Sequence, residues 1–317
     1  MIKPAVDVMA PAVPRDRSHV ARDLVALTKP RVLLMVLATT LAGYFAALGG
    51  PPDLVRVAHL LMGTLLAAAG TLALNQYVER HVDALMDRTR RRPLPDGRLQ
   101  PLQALLFATA LTSAGIIYLA LAVGIAAGAL TFGTTLLYLG VYTPLKTRSA
   151  LCMLVGAVPG ALPPVTGWVA ARGDLDLGAA ILFAIAFLWQ LPHTLAIAHL
   201  YRDDYARAGV RVLPVVYRDD HARGGVRVLP VVDAQGTMSD RQIVMSSFAL
   251  FAVSVLPTVI GVSGTTYFAT ACALGLGLLG VAVAHASAPS AASARRVLLA
   301  TLLYLPLLLA VLVLDRP

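Results

Sequence analysis

The chain has 317 residues, 58% of them hydrophobic before its 25 glycines are counted, only 14% charged, and its mean hydropathy is +0.75. A soluble domain holds about 45–50% apolar residues with glycine included, so this composition excludes a disordered chain and argues against a water-soluble globule. The net charge of +9 comes from 23 Arg and 3 Lys against 16 Asp and one Glu. It lies in loops between apolar runs, which points to membrane topology and anionic ligands rather than to a nucleic-acid partner.

A helix needs roughly 20 apolar residues to cross a ~30 Å hydrocarbon layer. Residues 1–31 carry Lys3, Arg15, Arg17, Arg22, Lys29 and Arg31 and read as a cytoplasmic N-terminal segment without a cleavable signal. Nine apolar runs follow, at about 32–49, 55–78, 102–122, 124–142, 150–171, 178–200, 242–262, 265–285 and 297–314. They make residues 32–317 one transmembrane domain. The third and fourth runs meet around Ala122–Gly124 with almost no loop. Gly49-Gly50-Pro51-Pro52, Ser263-Gly264 and Ala288-Pro289-Ser290 mark turns. The fifth run carries Gly156, Pro159, Gly160, Pro163, Pro164 and Gly167, and reads as a kinked helix lining a cavity. Small-residue helix packing is the competing reading. Cys152 and Cys272 lie far apart in apolar runs and suit neither a disulfide framework nor a thiolate metal site.

Loop charge sets the orientation. With the N-terminus inside, 23 Lys and Arg fall on the inner face and only Arg56, Arg172 and Arg316 outside, as the positive-inside rule requires of an odd number of spans. The predicted fold is all-α: a polytopic membrane bundle of about nine transmembrane helices around a central cavity, with the C-terminus outside.

The strongest chemical signal closes the second span: Asn75, Glu79, Asp83 and Asp87, each four apart, then Arg88, Arg90, Arg91 and Arg92. Four residues turn a helix by ~400°, so such a row stays on one face. Carboxylates in a row repel one another unless something positive sits between them. Mg²⁺ takes oxygen ligands and substrate phosphates, and arginine forks match phosphate oxygens. Together they suggest a diphosphate bridged by Mg²⁺. The competing reading is a solvated helix end beside a positive-inside loop.

Two further inner-face constellations accompany it. The sixth span ends Trp189-Gln190-Leu191-Pro192-His193 and leads to Arg202-Asp203-Asp204-Tyr205. The loop Tyr142-Thr143-Pro144-Leu145-Lys146-Thr147-Arg148 adds two cations. His193, with Trp189 and Gln190, is a candidate pocket wall. His81 and His199 are weaker candidates, and His19, His59, His221 and His285 read as surface or packing residues.

Residues 201–216 and 217–232 are a tandem duplication, identical at fourteen of sixteen positions. The differences are Tyr205 against His221 and Ala208 against Gly224. A local duplication in a loop that tolerates insertion is the favoured reading over two working copies of one site.

The stretch Asn75–Leu94, with Glu79, Asp83, Met86, Arg88-Thr89 and Arg92-Pro93-Leu94, resembles the first motif of the intramembrane aromatic prenyltransferase superfamily, and within it of the heme O synthase (protoheme IX farnesyltransferase) branch. Lys29-Pro30, Tyr142-Thr143 with Lys146, Gly160-Ala161 with Pro163-Pro164 and Gly167, Trp189-Gln190 with Pro192-His193, and Asp204-Tyr205 with Leu213-Pro214-Val215 match as well. There are departures. Glu79 stands where many relatives have Asp, His81 where they often have another acid, Thr147 interrupts a Lys-Arg pair, and Cys152 replaces a usual Asn. Copy two of the duplication reads Asp220-His221, so Asp204 is the acid matched to the family.

The resemblance implies transfer of a farnesyl group from farnesyl diphosphate to heme B. It implies Mg²⁺ on Glu79, Asp83 and Asp204, and Arg88, Arg92 and Lys146 acting with Asn75 in catalysis. Asp87, Tyr142, Arg148, Trp189, Gln190, His193, Asp203 and Tyr205 are then expected to contact substrate. It also implies hand-over of product to a heme A synthase or terminal-oxidase assembly. A bacterial cytoplasmic (inner) membrane suits the composition. A quinone-pathway aromatic prenyltransferase is the nearest alternative. A transporter, or a scaffold that only delivers heme, is more remote, since transporters hold coupling acids near the midplane.

Overall fold

The structure, a computed structural model, describes residues 17–149, 151–210 and 237–316. In chain order the helices are α1 (Arg17–Leu27), α2 (Pro30–Ala47), α3 (Leu54–Asp83), α4 (Pro101–Ala122) and α5 (Ile125–Leu136). A π-helical stretch (Leu137–Tyr142) then leads to α6 (Thr143–Leu145), α7 (Cys152–Arg172), α8 (Leu177–Leu200) and α9 (Arg202–Arg207). Last come α10 (Thr237–Ser254), α11 (Leu256–Val259), α12 (Thr265–Ser287) and α13 (Ala291–Leu314). Among the described residues nine helical spans are long and apolar enough to cross a membrane, so this is a multi-pass membrane protein. They coincide with the nine expected runs. The fourth runs Ile125–Leu145 through α5, the π-helical stretch and α6, and the seventh runs Ser239–Val259 through α10 and α11.

Local chemistry ends the helices where the sequence changes character. The Asp53 carboxylate accepts from the amides of Val55 (3.0 Å) and Arg56 (3.1 Å) at the start of α3, and Asp176 accepts from Ala179 (3.1 Å) at the start of α8. Ser290 and Ser293 form a capping box on α13. Arg56 and Arg316 hold the carboxyl ends of neighbouring helices, and Arg172 sits in the last turn of its own helix, α7. Arg56 donates to Ala170 O (2.6 Å) and Val123 O (2.9 Å), Arg316 donates to Phe45 O (2.6 Å), and Arg172 pairs with Asp176 (3.2 Å). Cations belong at that end of the helix dipole.

The bundle closes by contacts of α2 with α3, α7 and α13, and of α8 with α7, α10 and α13. Its largest apolar core lies where α2, α7, α8, α10, α12 and α13 meet, around Trp168, Leu250, Tyr267 and Tyr304. The buried phenols are satisfied: Tyr267 donates to Ser254 O and Tyr304 to Ser254 Oγ, each at 2.8 Å. The fifth span both lines the cavity and packs closely on its neighbours. Its first half lines the central cavity at Gly156, Pro159 and Gly160. In its second half a Cβ on Gly167 would overlap the Thr40 carbonyl oxygen, so α2 and α7 touch backbone to backbone. The element stays one continuous α-helix across its three prolines.

Three expectations need adjustment. The acidic row does not extend to Asp87: α3 ends at Asp83, where Thr89 donates to the Asp83 carbonyl (2.7 Å) and turns the chain. Part of the N-terminal segment is docked, since α1 buries Leu27 and pairs Asp23 with Arg98, and Gln76 donates to Leu27 O (2.6 Å). In the first repeat copy α9 begins after Tyr201, where α8 has stopped at Leu200. His285 is fully buried and faces Asp240, whereas His59 packs as expected, 2.6 Å from the Tyr118 hydroxyl. The second copy, residues 217–232, and Leu213-Pro214-Val215 lie outside the described residues.

Candidate active site

Residues Asn75, Glu79 and Asp83 share one face of α3, and each meets a partner brought from elsewhere in the chain. Asn75 is fully buried. Its carbonyl accepts from Lys29 Nζ (3.0 Å) and from the Tyr138 hydroxyl (3.4 Å), and its amide donates to Thr143 Oγ1 (3.3 Å). Glu79 accepts from Lys146 Nζ (2.6 Å), and Asp83, 2% exposed, accepts from Arg92 (2.7 Å). Each step of the row therefore faces one cation: a buried amide at Asn75, a half-buried carboxylate at Glu79 and a buried carboxylate at Asp83.

The π-helical stretch makes the second wall. Its wider turn lets Thr143 donate to the carbonyl of Tyr138 five residues back (2.8 Å). The Tyr138 and Tyr142 rings lie 5.3 Å apart, and the Lys146 ammonium sits 4.6 Å from the Tyr142 ring centre. Burial pulls the Lys146 pKa down, but the Tyr142 and Tyr138 oxygens and the Glu79 carboxylate outweigh it and hold the ammonium above its ordinary range. Lys29 goes the other way. Burial, then the positive Arg92 and Lys146, lower its pKa from 10.5 to about 7. Among the described residues Lys29 is also the single non-glycine position with positive φ (50°), a conformation uncommon for a side-chain-bearing residue.

That shift predicts a pH effect on stability. Between about 7 and 10.5 the unfolded lysine binds a proton that the folded one has released. Stability contributed by this group therefore rises with pH across that window and is flat above it. Lys29→Met should remove this component of the slope, as read from thermal melts in detergent across the same pH range.

The third wall comes from α9. Asp204, 8% exposed, accepts from the amides of Asp87 and Arg88 at 3.4 Å each and pairs with Arg207. Arg207 also reaches Asp87 (2.6 Å), and Arg90 holds Asp87 from the other side (3.3 Å). Arg88 donates to the Tyr205 hydroxyl (3.0 Å) and lies over the rings of Tyr205 and Tyr201. Asp83 and Asp204 thus stand at one end of the bundle, joined by the short turn between Asp83 and Thr89. Glu79, Asp83 and Asp204 do not converge within 4.8 Å of one another as a trio. Asp203, Arg148 and His81 are exposed.

Beneath these groups lies a cavity of about 590 Å³. Met35 and Val36 of α2 and Leu302 and Leu305 of α13 make apolar parts of its wall, and Tyr138 and Tyr142 line it beside the charged end. Trp189, Gln190 and His193 line it too, as the sequence suggested. Trp189 donates to Thr301 O (2.7 Å) and stacks on His193 with centroids 4.7 Å apart. Thr301 gives its own hydroxyl proton to Leu298 O (2.7 Å), so at 3.0 Å it accepts from His193 Nδ1–H. That assignment leaves Nε2 of His193 as a lone-pair nitrogen. Gln190 donates to Ala157 O (3.1 Å) and Ala186 O (2.9 Å), and its carbonyl oxygen occupies the space a Cβ on Gly160 would fill.

Residues 36–307 match the UbiA prenyltransferase family. The chain belongs to that family. The protoheme IX farnesyltransferase of Solibacter usitatus is 42% identical over 305 residues, covering 93% of this chain and 99% of that protein. The one from Myxococcus xanthus is 41% identical over 303 residues, covering 94% and 95%. Among solved structures, a digeranylgeranylglyceryl phosphate synthase superposes with a TM-score of 0.74 at 15% identity, covering 93% of this chain and 98% of that one. A UbiA homolog from Archaeoglobus fulgidus bound to GPP and Mg²⁺ superposes at 0.62 with 12% identity, covering 92% and 99%. These two show the UbiA fold. The chain is an enzyme of the prenyltransferase class, and the branch its motifs resemble is the one its sequence relatives occupy.

Four groups in this UbiA site were not among the expected site residues. Lys29 and Thr143 stood in matched motifs without an assigned role. Tyr138 lies one turn before Tyr142, which was its only signal. Arg207 sits inside the duplicated 16-mer, where its copy Arg223 obscured it.

Proposed function

We propose that this protein transfers the farnesyl group of farnesyl diphosphate to a vinyl group of heme B, giving heme O and diphosphate. The carrying observation is that a cluster of carboxylates and cations at one end of the bundle meets, at Tyr138 and Tyr142, a cavity with mainly apolar walls. A prenyl diphosphate has the same two halves. Protoheme IX farnesyltransferases at about 40% identity over nearly the full chain supply the acceptor.

The donor set fits Mg²⁺. Glu79, Asp83 and Asp204 offer only hard carboxylate oxygens, and Glu79 is tied to the cavity wall through Lys146, which lies over Tyr142. The A. fulgidus homolog binds GPP together with Mg²⁺. When bound, the ion offsets the negative charge of the diphosphate and favours its departure. The chain's own cations do the same work: Lys146, Arg92 and Arg88 already hold the carboxylates and phenols of the site, and they are the donors that diphosphate oxygens require. Asn75, locked by three partners, keeps Lys29, Tyr138 and Thr143 in register beside them.

The reaction begins as the farnesyl C1–O bond breaks and its electron pair leaves with diphosphate. The apolar walls hold water away from the allylic cation. The terminal vinyl carbon of heme attacks C1, and the cation formed beside the pyrrole is quenched by water, which releases a proton and leaves a hydroxyethylfarnesyl group. The stacked Trp189–His193 pair is the wall we assign to heme, with His193 Nε2 as the contact group. The charge asymmetry of the loops supports a bacterial inner membrane with the N-terminus cytoplasmic and the C-terminus outside.

Purified protein incubated with heme B, farnesyl diphosphate and Mg²⁺ should yield a heavier, more hydrophobic heme detected by mass spectrometry. Transfer to a quinone-pathway aromatic acid but not to heme would overturn the acceptor and leave the prenyltransferase chemistry standing.

A further inference from the structure

A second constellation stands apart from the acids of the α3 row. Among the described residues, His199, Asp240 and His285 are the one trio of metal-ligating side chains whose ligand atoms all lie within 4.8 Å of one another. His199 is in the last turn of α8, Asp240 in the first turn of α10, and His285 in the last turn of α12. The Asp240 side chain is 5% exposed and that of His285 is 0% exposed, while His199 keeps 17%.

We propose that His199, Asp240 and His285 bind a divalent transition-metal ion of the zinc class, which ties together the inner ends of α8, α10 and α12. Three independent features carry the assignment.

The first is spacing. His199 Nε2 lies 3.4 Å and His285 Nε2 lies 3.2 Å from the same oxygen, Asp240 Oδ1. Direct charge-assisted N–H···O contacts close to ~2.7–2.9 Å. Two ligand atoms that share a tetrahedral ion at ~2.0–2.1 Å are ~3.3 Å apart, the spacing seen here.

The second is the tautomer. Ser293 Oγ lies 3.0 Å from Ser290 O and 3.1 Å from Ala288 O, which take its proton. In that arrangement it accepts from the Ser290 amide (2.9 Å) and from His285 Nδ1–H (2.8 Å). The Nε2 lone pair of His285 then faces a carboxylate oxygen, two negative ends with a positive charge required between them. Fixing one imidazole nitrogen by a hydrogen bond so that the other can ligate is the usual support of a histidine metal ligand.

The third is the local field. The carboxyl ends of α8 and α12 lie at the cluster and favour a cation, while the Asp240 carboxylate offsets the positive amino end of α10. Two imidazoles and one carboxylate, with a remaining position for water, form a recurrent zinc set. A hard, oxygen-seeking ion such as Mg²⁺ would not choose imidazoles. The ion would act as a positioning element, because His199 lies five residues before Asp204 and shares with it the helix end that carries α9.

The test uses the full-length protein in detergent, stripped by a chelator and dialysed. Added Co²⁺ should give the intense visible absorption of a four- or five-coordinate site, which Zn²⁺ abolishes. About one zinc per chain should remain by mass spectrometry after gel filtration, and zinc should raise the melting temperature. The oxygen-only acids of the α3 row would give Co²⁺ only weak absorption, and Asp83→Asn should keep the strong signal. His285→Gln and Asp240→Asn should each lower zinc affinity by at least ~10-fold. A folded, monodisperse wild-type protein showing neither the Co²⁺ spectrum nor stoichiometric zinc would overturn the proposal, leaving a shared proton as the bridge. So would zinc retained in both variants.

Discussion

Asp83→Asn should lower the rate of farnesyl transfer by roughly 10²–10³-fold at saturating Mg²⁺, about 3–4 kcal/mol of transition-state stabilisation. Asparagine keeps the shape of the side chain and removes one charge from a position that is 2% exposed. The loss should fall on turnover more than on heme affinity, since Asp83 belongs to the diphosphate end. The fold should survive, because the contact that turns the chain after α3 is made by the Asp83 backbone carbonyl and Thr89 (2.7 Å), not by the carboxylate. Asp87→Asn should cost much less: its side chain is 61% exposed and lies beyond the end of α3. Heme O formation measured for both variants checks this. Near-normal turnover of Asp83→Asn would remove the diphosphate-binding role from the row.

Gly167→Val should be strongly disruptive, because it forces a side chain into a backbone-to-backbone contact. A side chain there overlaps the Thr40 carbonyl oxygen and stands 2.8 Å from the Tyr44 amide nitrogen. Gly43 faces the same contact from α2, against the Pro164 carbonyl. Backbone atoms cannot swing aside as a side-chain tip does, so α2 and α7 must part. Overpacking of this kind costs about 1–3 kcal/mol or more. Moving α7 also displaces Gly156 and Gly160, which hold space for Tyr142 and Gln190. The variant should melt several degrees lower in detergent and lose transfer activity as a secondary result. Gly133→Val is the control, because nothing lies within 4 Å of a Cβ at Gly133. An unchanged melting temperature for Gly167→Val would show that the two helices separate at little cost.

Much of the site was readable because its acids are local. Asn75, Glu79 and Asp83 recur at helical spacing within one span, and acids at the end of an apolar helix stand out against their surroundings. Trp189, Gln190 and His193 stood out likewise, as polar groups inside an apolar run. The reading failed at Asp87, where spacing alone continues the row but the helix has ended. It also undervalued His285, whose role depends on Asp240, a residue 45 positions earlier on another helix.

By itself the sequence determined the solvent, the number of spans and the chemical types gathered on one face. These follow from hydropathy, helix length and loop charge, each summed over neighbouring residues and judged against a bilayer whose thickness does not vary with the fold. Only the tertiary structure decided which cation meets which acid. Lys146 finds Glu79 across 67 residues, Asp204 finds the Asp87 amide across 117, and His199 and His285 meet over one carboxylate. Such pairings are set by how helices pack, and residues that packing brings together share no period along the chain.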